Sequence, residues 1–149
     1  MPSYLWSFAC TCYARPGLEQ TCLHLQQQGQ DVCLLLCALW LEQRGIASEP
    51  TGLRQLQDIS QPWQRDVVQP LRELRQRWRE PALSSPALAQ LREQIKATEL
   101  AAERELLDRL EDLTKTWPAA KAGQGSQWLD QLCEDRDAQQ LLRAAASSL

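Results

Sequence analysis

The feature that most constrains this chain is a run of ten consecutive apolar residues, 32–41, within the segment DVCLLLCALWLEQRG. Asp31 precedes the run and Gly45 follows it, and these are residue types that favour the start and the end of a helix. A helix that is apolar on every side must be surrounded by other elements. The segment 31–45 therefore predicts the buried central helix of a small all-α bundle.

The composition and the charge are those of an ordinary globular domain. The chain has 149 residues, of which 44% are hydrophobic and 23% charged, and this length suits one domain. The net charge of -3 gives no general reason to expect nucleic-acid binding. The amino-terminal residues lack the basic region and cleavage site of a signal peptide. The run 32–41 is shorter than the roughly 20 apolar residues that span a membrane, so we expect a cytoplasmic protein without membrane contact.

Helical periodicity is present on both sides of the central run, and no segment alternates as a strand would. Ser3 is suited to cap a first helix that continues to about residue 14. Pro16 and Gly29 mark the beginning and the end of a second helix. A short helix is expected from Thr51.

The next predicted helix begins at Ser60 and Pro62 and carries a narrow apolar stripe. Pro70 lies inside this helix and is expected to kink it, because proline lacks the N–H that a helix interior uses. A break is expected at 81–86, where prolines recur. The stripe consists of Trp63, Val67, Leu71, Leu74 and Trp78.

A long amphipathic helix is predicted over 86–117, which would extend about 45 Å at 1.5 Å per residue. That length exceeds what a compact domain of this size needs, so we expect it to project, to form an antiparallel hairpin or to pair in a dimer. Residues 1–117 are then a single helical domain and 118–127 a linker. The segment 128–149 is expected to be helical and to pack on the domain or to be partly mobile.

The chain contains six cysteines and one histidine, which raises the question of a metal or redox site. Cys10 and Cys12 form a CxC, and Cys33 and Cys37 lie one helical turn apart, but no CxxC pair is present. Cysteines inside helices usually behave as small buried hydrophobes. We therefore expect a packing role for the thiols, with metal or redox chemistry as the alternative. His24 is a weak candidate for catalysis because no acidic motif lies near it in the sequence.

Carboxylates along the long helix offer a second kind of candidate site. Asp108 and Asp112 are one turn apart and are able to hold Mg²⁺ beside a phosphate. Interleaved arginines favour a solvated, salt-bridged face instead. We expect no metal ion, no cofactor and no catalytic residue.

Arginines and terminal tryptophans are the best candidates for contact with a partner. Several arginines fall on one arc of the helix that carries Trp63 and Trp78, and clustered arginines bind acidic groups well. Four of the six tryptophans lie on apolar stripes and are expected in the core, whereas the two near the chain ends are expected to be exposed. The predicted partner-binding residues are Arg65, Arg72, Arg75, Arg79, Trp6 and Trp128. Replacing the three arginines 72, 75 and 79 with Glu is expected to leave folding intact and to abolish partner binding.

Three segments carry a resemblance to a known family. They are 13–45, which begins YARPG and contains DVCLLLCALW, then 63–75 (WQRDVVQPLRELR) and 99–107 (ELAAERELL). They resemble an uncharacterised proteobacterial family, domain of unknown function twenty-three ninety, which occurs in pseudomonads and their relatives. The resemblance extends to about residue 115. It implies a single-domain, all-helical, cytoplasmic bacterial protein, and it brings no assigned activity, cofactor or site residue.

Two function hypotheses follow, and a third is minor. The first is a non-catalytic interaction or adaptor module that binds an unknown protein partner or itself. The second is a small helical enzyme with a pocket between helices, using Glu99, Glu103, His24 or a thiol. A pocket that brings two or more of these groups together would favour the enzyme. The minor alternative is nucleic-acid binding through the face 65–79.

Overall fold

The computed structural model describes residues 4–147, and the chain there is almost entirely helical or in short connections. The predicted cap Ser3 lies outside the described residues. Within the described range no β-strand occurs, although one isolated bridge pairs Ile46 with Ala119. The predicted all-α class is therefore confirmed. The helices are α1 (Tyr4–Tyr13), α2 (Leu18–Gln27), α3 (Val32–Gln43), α4 (Pro50–Trp63), α5 (Gln69–Arg77), α6 (Pro86–Thr114), α7 (Trp128–Leu132) and α8 (Arg136–Ser147).

Helix α3 occupies the centre of the bundle, as its apolar run predicts. All ten residues of 32–41 are buried. Helices α1, α2, α4, α6, α7 and α8 all contact α3. The carboxylate of Asp31 accepts a hydrogen bond from the N–H of Leu34 at 3.1 Å, so the predicted cap is present. Gly45 ends the helix with a φ of 67°, a left-handed conformation that glycine adopts without steric cost.

The predicted helix start at Ser60 and Pro62 is wrong, because α4 runs through both residues from Pro50 to Trp63. Ser60 does not cap a helix. Its side chain is buried and its hydroxyl donates a hydrogen bond to the carboxylate of Asp31. Ser60, which has the residue type of a helix cap, therefore makes a hydrogen bond to a residue that is distant in the sequence.

The predicted irregularity near Pro70 is a π-helical turn, Gln64–Val68, which joins α4 to α5. Pro70 has no N–H for the carbonyl four residues earlier, and its ring would clash with that carbonyl in a regular helix. The wider turn removes the conflict, and the N–H of Gln69 bonds to the carbonyl of Gln64 five residues back.

Helix α6 is 29 residues long, which corresponds to about 43 Å, and it ends three residues before the predicted 86–117 helix does. A 3₁₀ turn, Pro81–Ser84, reverses the chain so that α5 packs against α6 as a hairpin. Helix α5 contains no buried residue, and α6 has none before Glu99. We call this hairpin, residues 69–98, the helical arm.

The carboxy-terminal helices are part of the core. Helix α7 contacts α3, and α8 contacts α1, α2 and α3. The apolar side chains of these two helices join the same buried cluster as α3. The segment 118–127 crosses between α6 and α7 without helical structure.

The predicted exposure of Trp128 is wrong, because the side chain is 0% exposed. Its ring stacks on Trp117 with centroids 5.5 Å apart. Its indole N–H donates to the carbonyl of Ile46 at 2.9 Å. Position near the chain end suggested exposure, but a large aromatic ring with a satisfied N–H is stable in a core.

Gly52 on α4 lies directly against this tryptophan pair. A Cβ at Gly52 would lie 2.8 Å from Cη2 of Trp128 and 3.1 Å from Cη2 of Trp117. Both rings are rigid and held by the stack, so neither atom is the end of a flexible chain. Glycine therefore lets α4 approach the rings.

We predict that Gly52→Ala destabilises the fold by about 1–3 kcal/mol, because overpacking outweighs the gain of about 1 kcal/mol in helix propensity. Urea unfolding measures the change. Gly125→Ala is the matched control, since a Cβ there meets only the Gln127 side chain at 3.7 Å or more. Equal stability of the two variants would contradict the proposed contact.

Candidate functional site

A buried polar cluster joins the start of α3 to the end of α4. One oxygen of the Asp31 carboxylate accepts a hydrogen bond from the Gln64 amide at 2.8 Å, and the other accepts from the Ser60 hydroxyl. Both donors are buried. Buried polar groups are costly unless they are paired, and here each has a partner. The cap of α3 therefore also positions the π turn.

A buried ion pair joins α5 to α6. Glu99 on α6 is 6% exposed, and its carboxylate lies between two arginines of α5. Arg72 donates to it at 3.2 Å, and Arg75 donates at 2.5 and 3.3 Å. The carbonyl of Arg75 accepts a further hydrogen bond from Arg92 at 2.9 Å. These contacts hold the base of the helical arm together.

The prediction of one exposed arginine face is wrong for Arg72 and Arg75. Their side chains are only 14% and 23% exposed, and they face Glu99. Helical periodicity places them on an arc with Arg79, but it carries no information about the carboxylate on α6. Arg65 and Arg79 are exposed as expected, and Arg65 pairs with Asp66 at 2.8 Å.

We predict that Glu99→Gln lowers the free energy of unfolding by about 2–4 kcal/mol, because it leaves two largely buried guanidinium groups without a carboxylate. Glutamate at 72 and 75 would add like charges beside Glu99, so we expect that replacement to unfold the protein. Glu105→Gln is the control, because its pair with Arg109 is exposed and contributes about 0–1 kcal/mol. Urea unfolding of the two glutamine variants is the measurement, and equal losses would contradict a structural role for Glu99.

A cavity of about 440 Å³ lies between α1, α2, α3 and α6. Most of its wall is apolar or carries thiol groups, and Val32, Leu36 and Leu107 line it together with Ala9. Its aromatic, acidic and thiol groups are Trp6, Cys10, Tyr13, Glu19, Cys22, Cys33 and Glu103.

Glu103 is the carboxylate that α6 places in this wall, one helical turn after Glu99. Its Oε2 lies 4.0 Å from the sulfur of Cys33. Burial raises the pKa of Glu103 to about 7, and repulsion from Glu99 and Asp31 acts in the same direction. Attraction to Arg72 and Arg75 lowers the pKa and so opposes this increase. Glu103 therefore changes charge near neutral pH.

The Tyr13 hydroxyl and the thiols of Cys22 and Cys33 remain protonated at neutral pH. Burial raises the pKa of Tyr13 to about 12 and that of Cys22 to about 11. Burial also raises the pKa of Cys33 well above its usual range. A thiol reacts and binds metals as the thiolate, so these cysteines are poor nucleophiles. Within residues 4–147 no group of three or more His, Cys, Asp or Glu residues is placed to hold a metal ion.

The other predicted candidates lie at or outside the cavity. Trp6 is half-buried at its edge, with the Arg104 guanidinium 5.2 Å from the ring centroid. His24 is exposed on α2, where its ring contacts Gln28. The sequence did not indicate Tyr13 as a cavity residue. The carboxylates of the long helix were expected on a solvated face, and Glu103 was a candidate only under the hypothesis of an enzyme. The available signal was the position of Glu99 and Glu103 next to the apolar stripe of α6.

The structure is that of a small all-α protein with a cavity between four helices that is open to solvent. A family model described as "Protein of unknown function (DUF2390)" matches residues 4–110. That match covers well over half of the chain, so the chain belongs to this family. Comparison with curated proteins gives no match, and neither does comparison with solved structures. Among the described residues, no helix has the length and apolar character needed to cross a membrane.

We predict that the stability of the protein falls as the pH rises from about 4.5 to about 7. Over this window the folded state retains the proton of Glu103, whose pKa is raised from 4.5 to about 7, whereas the unfolded state loses it. The free energy of unfolding should fall by about 1–3 kcal/mol. Urea unfolding at several pH values measures this, and Glu103→Gln should remove that part of the slope. An identical pH profile in wild type and Glu103→Gln would contradict the prediction.

Proposed function

We propose that the protein binds a small molecule in the cavity between α1, α2, α3 and α6. The observation that carries the proposal is the combination of an apolar wall with a few polar groups, above all Glu103 and Tyr13. Ligand sites are typically concave, mostly apolar and supplied with a few convergent polar groups, some with shifted pKa values. This supports the hypothesis of a pocket between helices.

The chemistry that this cavity favours is proton transfer rather than thiol attack. The buried thiols of Cys22 and Cys33 stay protonated at neutral pH. Glu103 has a pKa of about 7, which suits a general acid or base. Ligand binding is the proposed activity, and acid–base catalysis through Glu103 would be an extension of it.

The test uses the neutral dye Nile red, whose fluorescence rises in apolar surroundings. Ala14 is exposed at the edge of the cavity, so we predict that Ala14→Trp obstructs entry and lowers dye affinity at least tenfold. Ala97→Trp is the matched control, because Ala97 is exposed on α6 and does not line the cavity. Equal dye binding by the two variants, or none by the wild type, would overturn the proposal.

A second candidate function, contact with a protein partner or with another copy of the chain, is supported by the helical arm. Leu83 at its tip is 87% exposed and Leu91 is 48% exposed. Exposed arginines Arg77 and Arg79 lie nearby on the same hairpin. Acidic residues on the arm dilute the positive charge, so the arm favours a protein over nucleic acid. In this proposal the protein is a cytoplasmic adaptor.

We predict that Leu83→Ser abolishes binding of a stoichiometric partner or self-association, because it removes the most exposed large apolar side chain. Affinity purification and light scattering are the measurements. Leu141→Ser is the control, since Leu141 is 50% exposed on α8, away from the arm. Loss of binding in both variants, or in neither, would count against the arm.

A further inference from the structure

The charge pattern of the cavity wall restricts the class of ligand. None of the described residues that line the cavity is Arg, Lys or His, whereas Glu19 and Glu103 both contribute carboxylates. Arg72 on α5 attracts the Glu103 carboxylate, but its guanidinium is hydrogen-bonded to Glu99 at 3.2 Å. Arg104 lies over the ring of Trp6 at the edge of the cavity and is not among the lining residues. A carboxylate or phosphate ligand would therefore meet acidic groups without a lining cation to pair with.

The two carboxylates of α6 have different surroundings, and this difference identifies the group that faces the ligand. Glu99 receives hydrogen bonds from two arginines and is enclosed. Glu103 lies one turn further along α6, and among the contacts described its hydrogen-bond partner is the thiol of Cys33 at 4.0 Å, a weak donor. Its charge is thus less compensated than that of Glu99.

Aromatic rings supply the second half of the pattern. Trp6 and Tyr13 of α1 line the same cavity as Glu103. The Arg104 guanidinium already lies 5.2 Å from the centroid of the Trp6 ring, so Tyr13 is the ring without such a cation among the contacts described. The face of an aromatic ring attracts cations, and an ammonium group close to a carboxylate gains a charge-assisted hydrogen bond. Apolar side chains such as Leu36 and Leu107 complete the wall.

We infer that the cavity binds an organic cation, an amine with an apolar body, whose ammonium group pairs with Glu103 while its body packs between α1 and α3. This inference rests on the proposed function, since it requires the cavity to be a ligand site. It adds the charge and the chemical class of the ligand.

Ligand binding should depend on pH in a defined direction. Burial raises the pKa of Glu103 to about 7, so its carboxylate is largely neutral at pH 6 and largely ionised at pH 8. An ammonium ion binds the ionised form, so its affinity should be about tenfold higher at pH 8 than at pH 6. The charged and titratable groups around Glu103 and its cavity are Cys10 and Tyr13 on α1, Glu19 and Cys22 on α2, Asp31 and Cys33 at the start of α3, Arg72 and Arg75 on α5, and Glu99 and Arg104 on α6.

The experiment compares three probes that share one apolar body: phenylbutylamine, phenylbutanol and phenylbutyrate. Titration calorimetry on the full chain at pH 6 and pH 8 measures the affinity of each. We expect the amine to bind at least tenfold more tightly than the carboxylate at pH 8. Glu103→Gln should remove both this preference and the pH dependence. Glu105→Gln, an exposed change on the same helix, should retain both.

The outcomes separate this inference from the proposed function. Equal or tighter binding of phenylbutyrate, or an amine preference that persists in Glu103→Gln, overturns the ligand class while Nile red binding keeps the cavity as a site. Loss of Nile red binding in the wild type overturns both. If Glu103→Gln binds none of the three probes, its binding of Nile red is measured. Dye binding by this variant shows that the cavity is still formed.

Discussion

The enclosure of α3 is the constraint on which the rest of the structure depends. Ten consecutive buried residues leave this helix no face for solvent, so six other helices contact it. A chain of this length has few helices with which to cover α3. Helices α7 and α8, which follow the non-helical segment 118–127, therefore also pack in the core. Where α7 begins, the rings of Trp117 and Trp128 stack on each other, and Gly52 of α4 packs against both.

Buried polar groups next to the enclosed helix are paired to different degrees, and the carboxylate of Glu103 is less paired than that of Asp31 or Glu99. Asp31 accepts hydrogen bonds from one residue of α4 and one of the π turn, and Glu99 accepts hydrogen bonds from two arginines of α5. Glu103 follows Glu99 by one turn but has no arginine hydrogen-bonded to it among the contacts described. Burial without such a partner raises its pKa to about 7. The proposed ligand site thus contains a carboxylate that has no arginine hydrogen-bonded to it among the contacts described.

The cavity and the helical arm are two separate features of one helix. The second half of α6 packs in the core and supplies Glu103 and Leu107 to the cavity. Its first half pairs with α5 outside the core, and Glu99 with Arg72 and Arg75 marks the boundary between the halves. A single long helix thus connects the proposed ligand site to the exposed hairpin, and the ion pair at the boundary joins α5 to α6.

Local patterns in the sequence determined the all-α class, the buried helix α3 with its cap Asp31, and the long helix α6, because periodicity and capping depend on residues close together in the chain. Tertiary structure alone decided the partners of groups distant in sequence. In the folded chain Trp128 is buried, and Ser60 donates a hydrogen bond to Asp31 instead of capping a helix. Arg72 and Arg75 face Glu99 on α6. Tertiary structure also brought α1, α2, α3 and α6 around Glu103, since burial and charge pairing are set by whichever elements meet in space.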